Sequence, residues 1–209
     1  MSDARVRVPN VTQLTQLQID HVDRWHQAGD NVDATDVADD DFQHLVCQQH
    51  AFNYLLWHEE DKARSPTATD QQIAEVKRRI DQLNQQRNDT IEKIDDALAV
   101  KLAAGEIKCQ DDATINTETP GSAIDRLSIM ALRLYHYREQ FDRDDVDQTH
   151  RETVLRRIDL CQQQHADLSC SLQELLNDLF AGRKIHKTYR QMKMYNDPSL
   201  NPAIYNRDA

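Results

Sequence analysis

Residues 69–105, TDQQIAEVKRRIDQLNQQRNDTIEKIDDALAVKLAAG, decide the fold. Thr69 and Gln72 stand in a T-x-x-Q capping box, in which the hydroxyl meets one orphan N–H of the first helical turn and the amide returns to another. Apolar or long aliphatic positions then recur at Ile73, Val76, Ile80, Leu83, Arg87, Ile91, Ile94, Leu98 and Leu102. Eight steps over 29 residues average about 3.6, the period of a straight α-helix and not the 3.5 of a sustained coiled coil. A helix of this length with one apolar stripe needs bundle neighbours to cover it.

The rest of the chain supplies them. Gly and Pro number only 4 and 5 in 209 residues, about a third of the usual share, which argues against turn-rich β folds and Gly-loop α/β folds. These residues act as punctuation, at Pro9, Gly29, Pro66, Gly105, Pro120, Gly121, Gly182, Pro198 and Pro202. Between them the pattern predicts helices over residues 11–28, 37–64, 69–103, 122–141 and 145–182, followed by a basic tail over 183–209. Either Thr119, with Pro120 at the first helical position, or Ser122 caps the fourth helix. At 1.5 Å per residue the longest helices reach roughly 50 Å, longer than the ~43 Å diameter of a compact globule of this size. The reading is therefore all-α: one domain over 1–209, an elongated bundle of about five helices with an ordered non-helical tail packed on it. Its flanks suit a homodimer.

Composition sets further limits. The formal charge of −11 opposes general binding to nucleic-acid phosphates, which depends on neutralising cations. No apolar run approaches the ~18 residues of a membrane span, and the first residues lack a signal-peptide core. Cys47, Cys109, Cys161 and Cys170 form no CxxC pair, so neither a zinc ribbon nor a disulfide framework is indicated, and a reducing cytoplasm is the expected compartment.

The informative residues are polar ones inside apolar stripes. The second helix places Gln49, Asn53 and Glu60 at the centre of its stripe, flanked by Trp57 and Arg64. The third carries Asn84, Arg87 and Asn88 at mid-length, the fourth Asp125, Arg126, Ser128 and Arg138, and the fifth Asp147, His150 and His165. Unpaired buried charge costs several kcal/mol, so these groups must pair, as Glu60 with Arg87 could, or line a wet cavity between helices. No ExxH of a di-iron bundle occurs, and no cofactor is predicted. A divalent metal is the lesser reading, with His58 and Asp61, Asp147 and His150, or Glu92 and Asp95 as one-turn ligand pairs. His21, His26, His44, His136 and His186 follow no ligand spacing and read as packing or surface residues.

The tail differs from everything before it. Arg183, Lys184, Lys187, Arg190 and Lys193 carry its charge, interleaved with Tyr189 and Tyr195. One expectation has Tyr189, Met192, Met194, Tyr195 and Tyr205 dock it while its cations complement the acidic bundle. The other makes Arg190 and Lys193 an anion clamp over the bundle end.

The strings NYLLWHEEDKAR (53–64), KRRIDQLNQQRNDTIEKID (77–95), NTETPGSAIDRLSIMALRLYH (116–136) and YRQMKMYNDPSLNP (189–202) resemble the signatures of a bacterial family known as domain of unknown function 4254. The resemblance covers about residues 40–205 and implies a helical protein, with no activity to transfer. It coincides with the polar positions above. The leading functional expectation is a small anionic, phosphorylated ligand held between helices by Asn53, Trp57, Glu60, Asn84, Arg87, Asn88, Asp125 and Arg126, with Glu60 or His165 as acid or base. A dimeric scaffold with a register-setting polar core, and a metal-dependent nucleotide phosphohydrolase, are the alternatives.

Overall fold

Side-chain caps set the starts of four helices. Asn10 accepts from the Gln13 N–H and opens α1 (Val11–Gln27). Thr69 and Gln72 close the capping box that opens α3 (Asp70–Ala104). Thr119 accepts from the Ser122 N–H with Pro120 in the first turn, so α4 (Pro120–Phe141) begins two residues before the expected Ser122. Asp147 accepts from the His150 N–H and opens α5 (Gln148–Phe180), later than the expected residue 145. The remaining helix, α2, runs Asp41–Ala63. The computed structural model describes residues 7–29, 32–34, 41–194 and 197–202. The expected start of α2 at residue 37, and the docking roles of Tyr195 and Tyr205, lie outside them.

The architecture is an all-α bundle. Its main core draws on all five helices: Val11 and Leu14, Phe42 and Val46, Ile94 and Leu98, Ile124 and Leu127, Leu172 and Leu176. Each such side chain removed from water contributes about 1.5–3 kcal/mol. A second cluster joins α1, α2 and α4 through Val22, Trp25, Tyr54 and Leu132, and a third joins α4 to α5 through Met130, Leu134, Val154 and Ile158. At the N-terminal end of α3 the core thins to Ile80 and Leu83, whose packed partners Phe52, Leu55 and Leu56 all come from α2. Ile73, read as the first core position, is therefore 42% exposed. With 35 residues, α3 is about 50 Å long and is the longest element among those described. No helix of the described residues is long and apolar enough to cross a membrane.

After α5 the chain turns back over the α3–α4 connection. Gly182, at φ 72°, makes the turn, and a Cβ there would collide with the Lys108 carbonyl. Two short strands, β1 (Thr114–Ile115) and β2 (Lys184–Ile185), then pair in parallel. The tail follows α3 through polar contacts: Arg190 pairs with Glu92 and Asp96, the Gln191 N–H donates to Glu92, and His186 Nε2 lies 2.7 Å from the Asp95 carbonyl. Tyr189, Met192 and Met194, expected to dock the tail, are instead exposed. The α3 surface beside them carries carboxylates, which attract the guanidinium and offer no apolar seat.

The start of α4 packs closely on α3 at Gly121. Its N–H donates to Asp95 Oδ1 at 2.8 Å, and a Cβ there would sit 2.7 Å from the Ile91 carbonyl oxygen. Gly121→Ala forces backbone apart and is expected to cost about 1–3 kcal/mol, read as a lower urea midpoint. An unchanged midpoint would show that the two helices do not pack this closely.

Candidate functional site

Polar side chains of α2 and α3 converge on one carboxylate of α4. Asp125, one turn and a half into α4, is 5% exposed. Its Oδ1 accepts from Asn53 Nδ2 at 2.9 Å, from Arg87 Nε at 2.7 Å and from Gln49 Nε2, and its Oδ2 accepts from Arg87 Nη2. Arg87 thus forms a two-pronged ion pair across α3 and α4, and the carboxylate in turn holds the guanidinium pKa above its ordinary value. The expected partner of Arg87 was Glu60. Glu60 instead lies nearer the rim, its side chain 44% exposed and paired with Arg64 one turn on.

The layer continues inward from Asp125. Asn53 Nδ2 also donates to Ser128 Oγ at 2.9 Å, and that hydroxyl shares a 2.7 Å hydrogen bond with His50 Nδ1. His50 is fully buried, and desolvation, aided by the nearby His21, pushes its pKa down to about 3. It is therefore a neutral imidazole at physiological pH.

Outward from Asp125 the layer opens into a cleft of about 460 Å³ between α2, α3 and α4. Asn53, Asn84 and Arg87 give it polar groups, Leu56, Trp57, Ile129 and Leu132 an apolar wall, and Glu60, Asp61 and Arg64 a charged rim. With Nε and Nη2 engaged by Asp125, Arg87 turns Nη1 toward Asn84 Oδ1, 3.4 Å away. The Arg87 side chain is 24% exposed and that of Asp125 only 7%, so the positive end of the pair is the one presented outward. A larger groove of about 590 Å³ between α4 and α5 is lined by Arg126, Arg133, Gln164 and Asp167, but among the described residues no buried polar side chain stands in its wall.

The remaining candidates lie elsewhere. Asn88 is buried on α3 and accepts from Gln191 of the tail. Arg126 pairs with Glu118 at the surface, and Arg190 with Glu92 and Asp96, so neither reaches into the cleft. Lys193 is half-buried farther along the tail. His165, on α5, does not line the cleft, and desolvation lowers its pKa. Asp147 serves as the cap of α5, and among the described residues neither it nor His150 belongs to a group of three close ligand atoms, while His58 belongs to one that does not include Asp61. Glu92 and Asp95 are occupied by the tail and by the Gly121 N–H.

One cluster has no local signature in the sequence. His26 of α1, His58 of α2 and His136 of α4 each bring one ring nitrogen within 4.8 Å of the other two. His26 stacks on Tyr135 at 3.8 Å, and His136 stacks on Trp57 at 4.6 Å, on the residue that also walls the cleft. In the sequence, His58 was read as a metal candidate, paired with Asp61, and His136 stood within a string already singled out but was read as a packing or surface residue; His26 had no such signal.

A family model described as "Protein of unknown function (DUF4254)" matches residues 43–188. The chain belongs to this family. No curated protein and no solved structure matches it. The DUF4254 match takes in every residue of the cleft and of the Asp125 network, along with His58 and His136. It leaves out α1 with His26, and Arg190 and Lys193 of the tail.

The buried layer gives the stability of this DUF4254 protein a predictable pH dependence. Unfolded, His50 protonates near 6.5; folded, only near 3. Between those values the unfolded chain binds the extra proton, so His50 lowers stability as pH falls below 6.5, by about 2 kcal/mol at pH 5. Urea unfolding of wild type and His50→Gln at pH 7 and pH 5 measures this: the loss is expected to be about 2 kcal/mol smaller in the variant. Equal losses would place the titrating group elsewhere.

Proposed function

We propose that this DUF4254 protein binds a small organic ligand in the cleft between α2, α3 and α4, with one anionic group of the ligand against Arg87. The supporting observation is the orientation of Arg87: Asp125 fixes two of its nitrogens from behind, and the third is turned to Asn84 at the cleft wall. A guanidinium held this way loses little side-chain freedom when an anion arrives. The volume of about 460 Å³ falls in the range of small-molecule sites. Leu56, Trp57, Ile129 and Leu132 favour a flat or apolar portion of the ligand, and Asn53 and Asn84 offer amide groups that set its orientation.

Charge limits the ligand class. Arg64 and Arg87 stand against Glu60 and Asp61 around the same opening, and Arg87 is already matched by Asp125. That balance favours a single phosphate monoester or carboxylate over a polyphosphate, which needs several unmatched cations. A purely register-setting role accounts for the Asp125 network but leaves the apolar wall and open volume beside it without a purpose. The phosphohydrolase alternative is weaker, because the one-turn carboxylate pair on α3 already accepts hydrogen bonds from the tail and from Gly121.

Thermal unfolding against a panel of aromatic and aliphatic phosphate monoesters and carboxylates tests the proposal. A ligand at about ten times its Kd is expected to raise Tm by about 3–5 °C. Trp57→Ala and Asn84→Ala, which leave the Arg87–Asp125 pair in place, are expected to abolish the shift. No shift across the panel, or a shift that survives both substitutions, would overturn it.

A further inference from the structure

Three features of the histidine cluster at the α1–α2–α4 junction go beyond aromatic packing. First, the nitrogens converge: one from each of His26, His58 and His136 lies within 4.8 Å of the others, drawn from three different helices. Second, two of the rings are held through Nδ1. His26 Nδ1 lies 2.7 Å from the Val22 carbonyl oxygen, which can only accept, so Nδ1 carries the proton and donates. His136 Nδ1 lies 2.6 Å from Glu139 Oε2 and donates to it in the same way. Third, in the neutral form of each ring that assignment leaves a lone pair on Nε2, and the Nε2 atoms of His26 and His136 are both buried with no hydrogen-bond partner among the described residues. Buried ring nitrogens left without a partner are unfavourable, and a cation bound by them satisfies their lone pairs.

We infer that His26, His58 and His136 form a binding site for a divalent transition-metal cation of the Zn²⁺ class. Neutral imidazole is the ligand type such ions take, and three protein ligands leave one position of a tetrahedral ion for water. A Zn–N distance of about 2.0–2.1 Å places the nitrogens about 3.4 Å apart. The nitrogens, within 4.8 Å of one another, therefore need to close by no more than about 1.4 Å on binding. Glu139 and the Val22 carbonyl are the outer partners that fix tautomer and ring direction in histidine metal sites. Stacking on Tyr135 and Trp57 restrains the His26 and His136 rings from the side. Because Trp57 also walls the cleft, the site sits directly behind it. The inference does not depend on the cleft holding a ligand.

Metal binding to the full-length protein tests it. After stripping with chelator, the chain is titrated with Zn²⁺ and, in parallel, with Co²⁺ monitored by visible absorption, and retained metal is counted after desalting. One equivalent per chain and the d–d absorption of four-coordinate Co²⁺ are expected. His26→Phe and His136→Phe keep an aromatic ring in each stack while removing the ligand nitrogen, and each is expected to weaken Zn²⁺ binding by at least tenfold. Glu139→Gln, which leaves all three rings in place, is expected to weaken it by about tenfold. His44→Ala, outside the cluster, is expected to bind as wild type does. Failure of the stripped wild-type protein to retain metal, or equal retention by both Phe variants, would overturn the inference.

Discussion

The carboxylate of Asp125 is the point on which three helices agree. It takes hydrogen bonds from Gln49 and Asn53 of α2 and a two-pronged ion pair from Arg87 of α3, all while buried in α4. Replacing such a cluster with apolar side chains can be neutral, but removing one member leaves a charge stranded and is strongly destabilising. The cluster therefore contributes positional definition. A slip of α2 or α3 by one residue rotates its side chains by about 100° and leaves Asp125 without its donors. Ser128 and His50 extend the same constraint one turn deeper, and Arg87 and Asn84 carry it outward to the cleft. The cleft is thus a consequence of where the polar layer reaches the edge of the apolar core.

A second constraint keeps the other end of α3 in place. Gly121 lets the start of α4 approach the Ile91 carbonyl, and Asp95 receives its N–H there. Burial pushes the Asp95 pKa up, while hydrogen bonds from Thr119 and Gly121 work in the opposite direction. The tail then lies over this junction through His186, Arg190 and Gln191. Its exposed ion pairs contribute little individually. They do cover carboxylates of α3 that otherwise resemble a cation site.

The fold was legible because its signals are local. The 3.6-residue period of α3, its Thr69–Gln72 box and the nine Gly and Pro residues define helices to within a few residues. Within the site, Asn53, Asn84, Arg87 and Asp125 stood out as polar groups at apolar positions, and α2, α3 and α4 bring them together. Pairing was less legible. Glu60 and Asp125 both stand at apolar-stripe positions in the sequence, but Asp125 is buried where Arg87 meets it while Glu60 reaches the rim and pairs with Arg64 of its own chain segment. His58 was legible as a metal candidate but with the wrong partner, Asp61, and His26 and His136 were missed for a related reason, since three residues from three helices share no spacing in one chain. Amphipathic expectation also failed for the tail, where electrostatic attraction to α3 placed Arg190 and left Met192 and Met194 in solvent.

A double-mutant cycle in urea unfolding, built from Arg87→Gln, Asp125→Asn and the two together, addresses most directly the claim that this pair organises the site. If the ion pair is the hub, the single changes are strongly non-additive, with a coupling of about 1.5 kcal/mol or more. Additivity within about 0.5 kcal/mol would mean that the two side chains act independently, and would contradict the account.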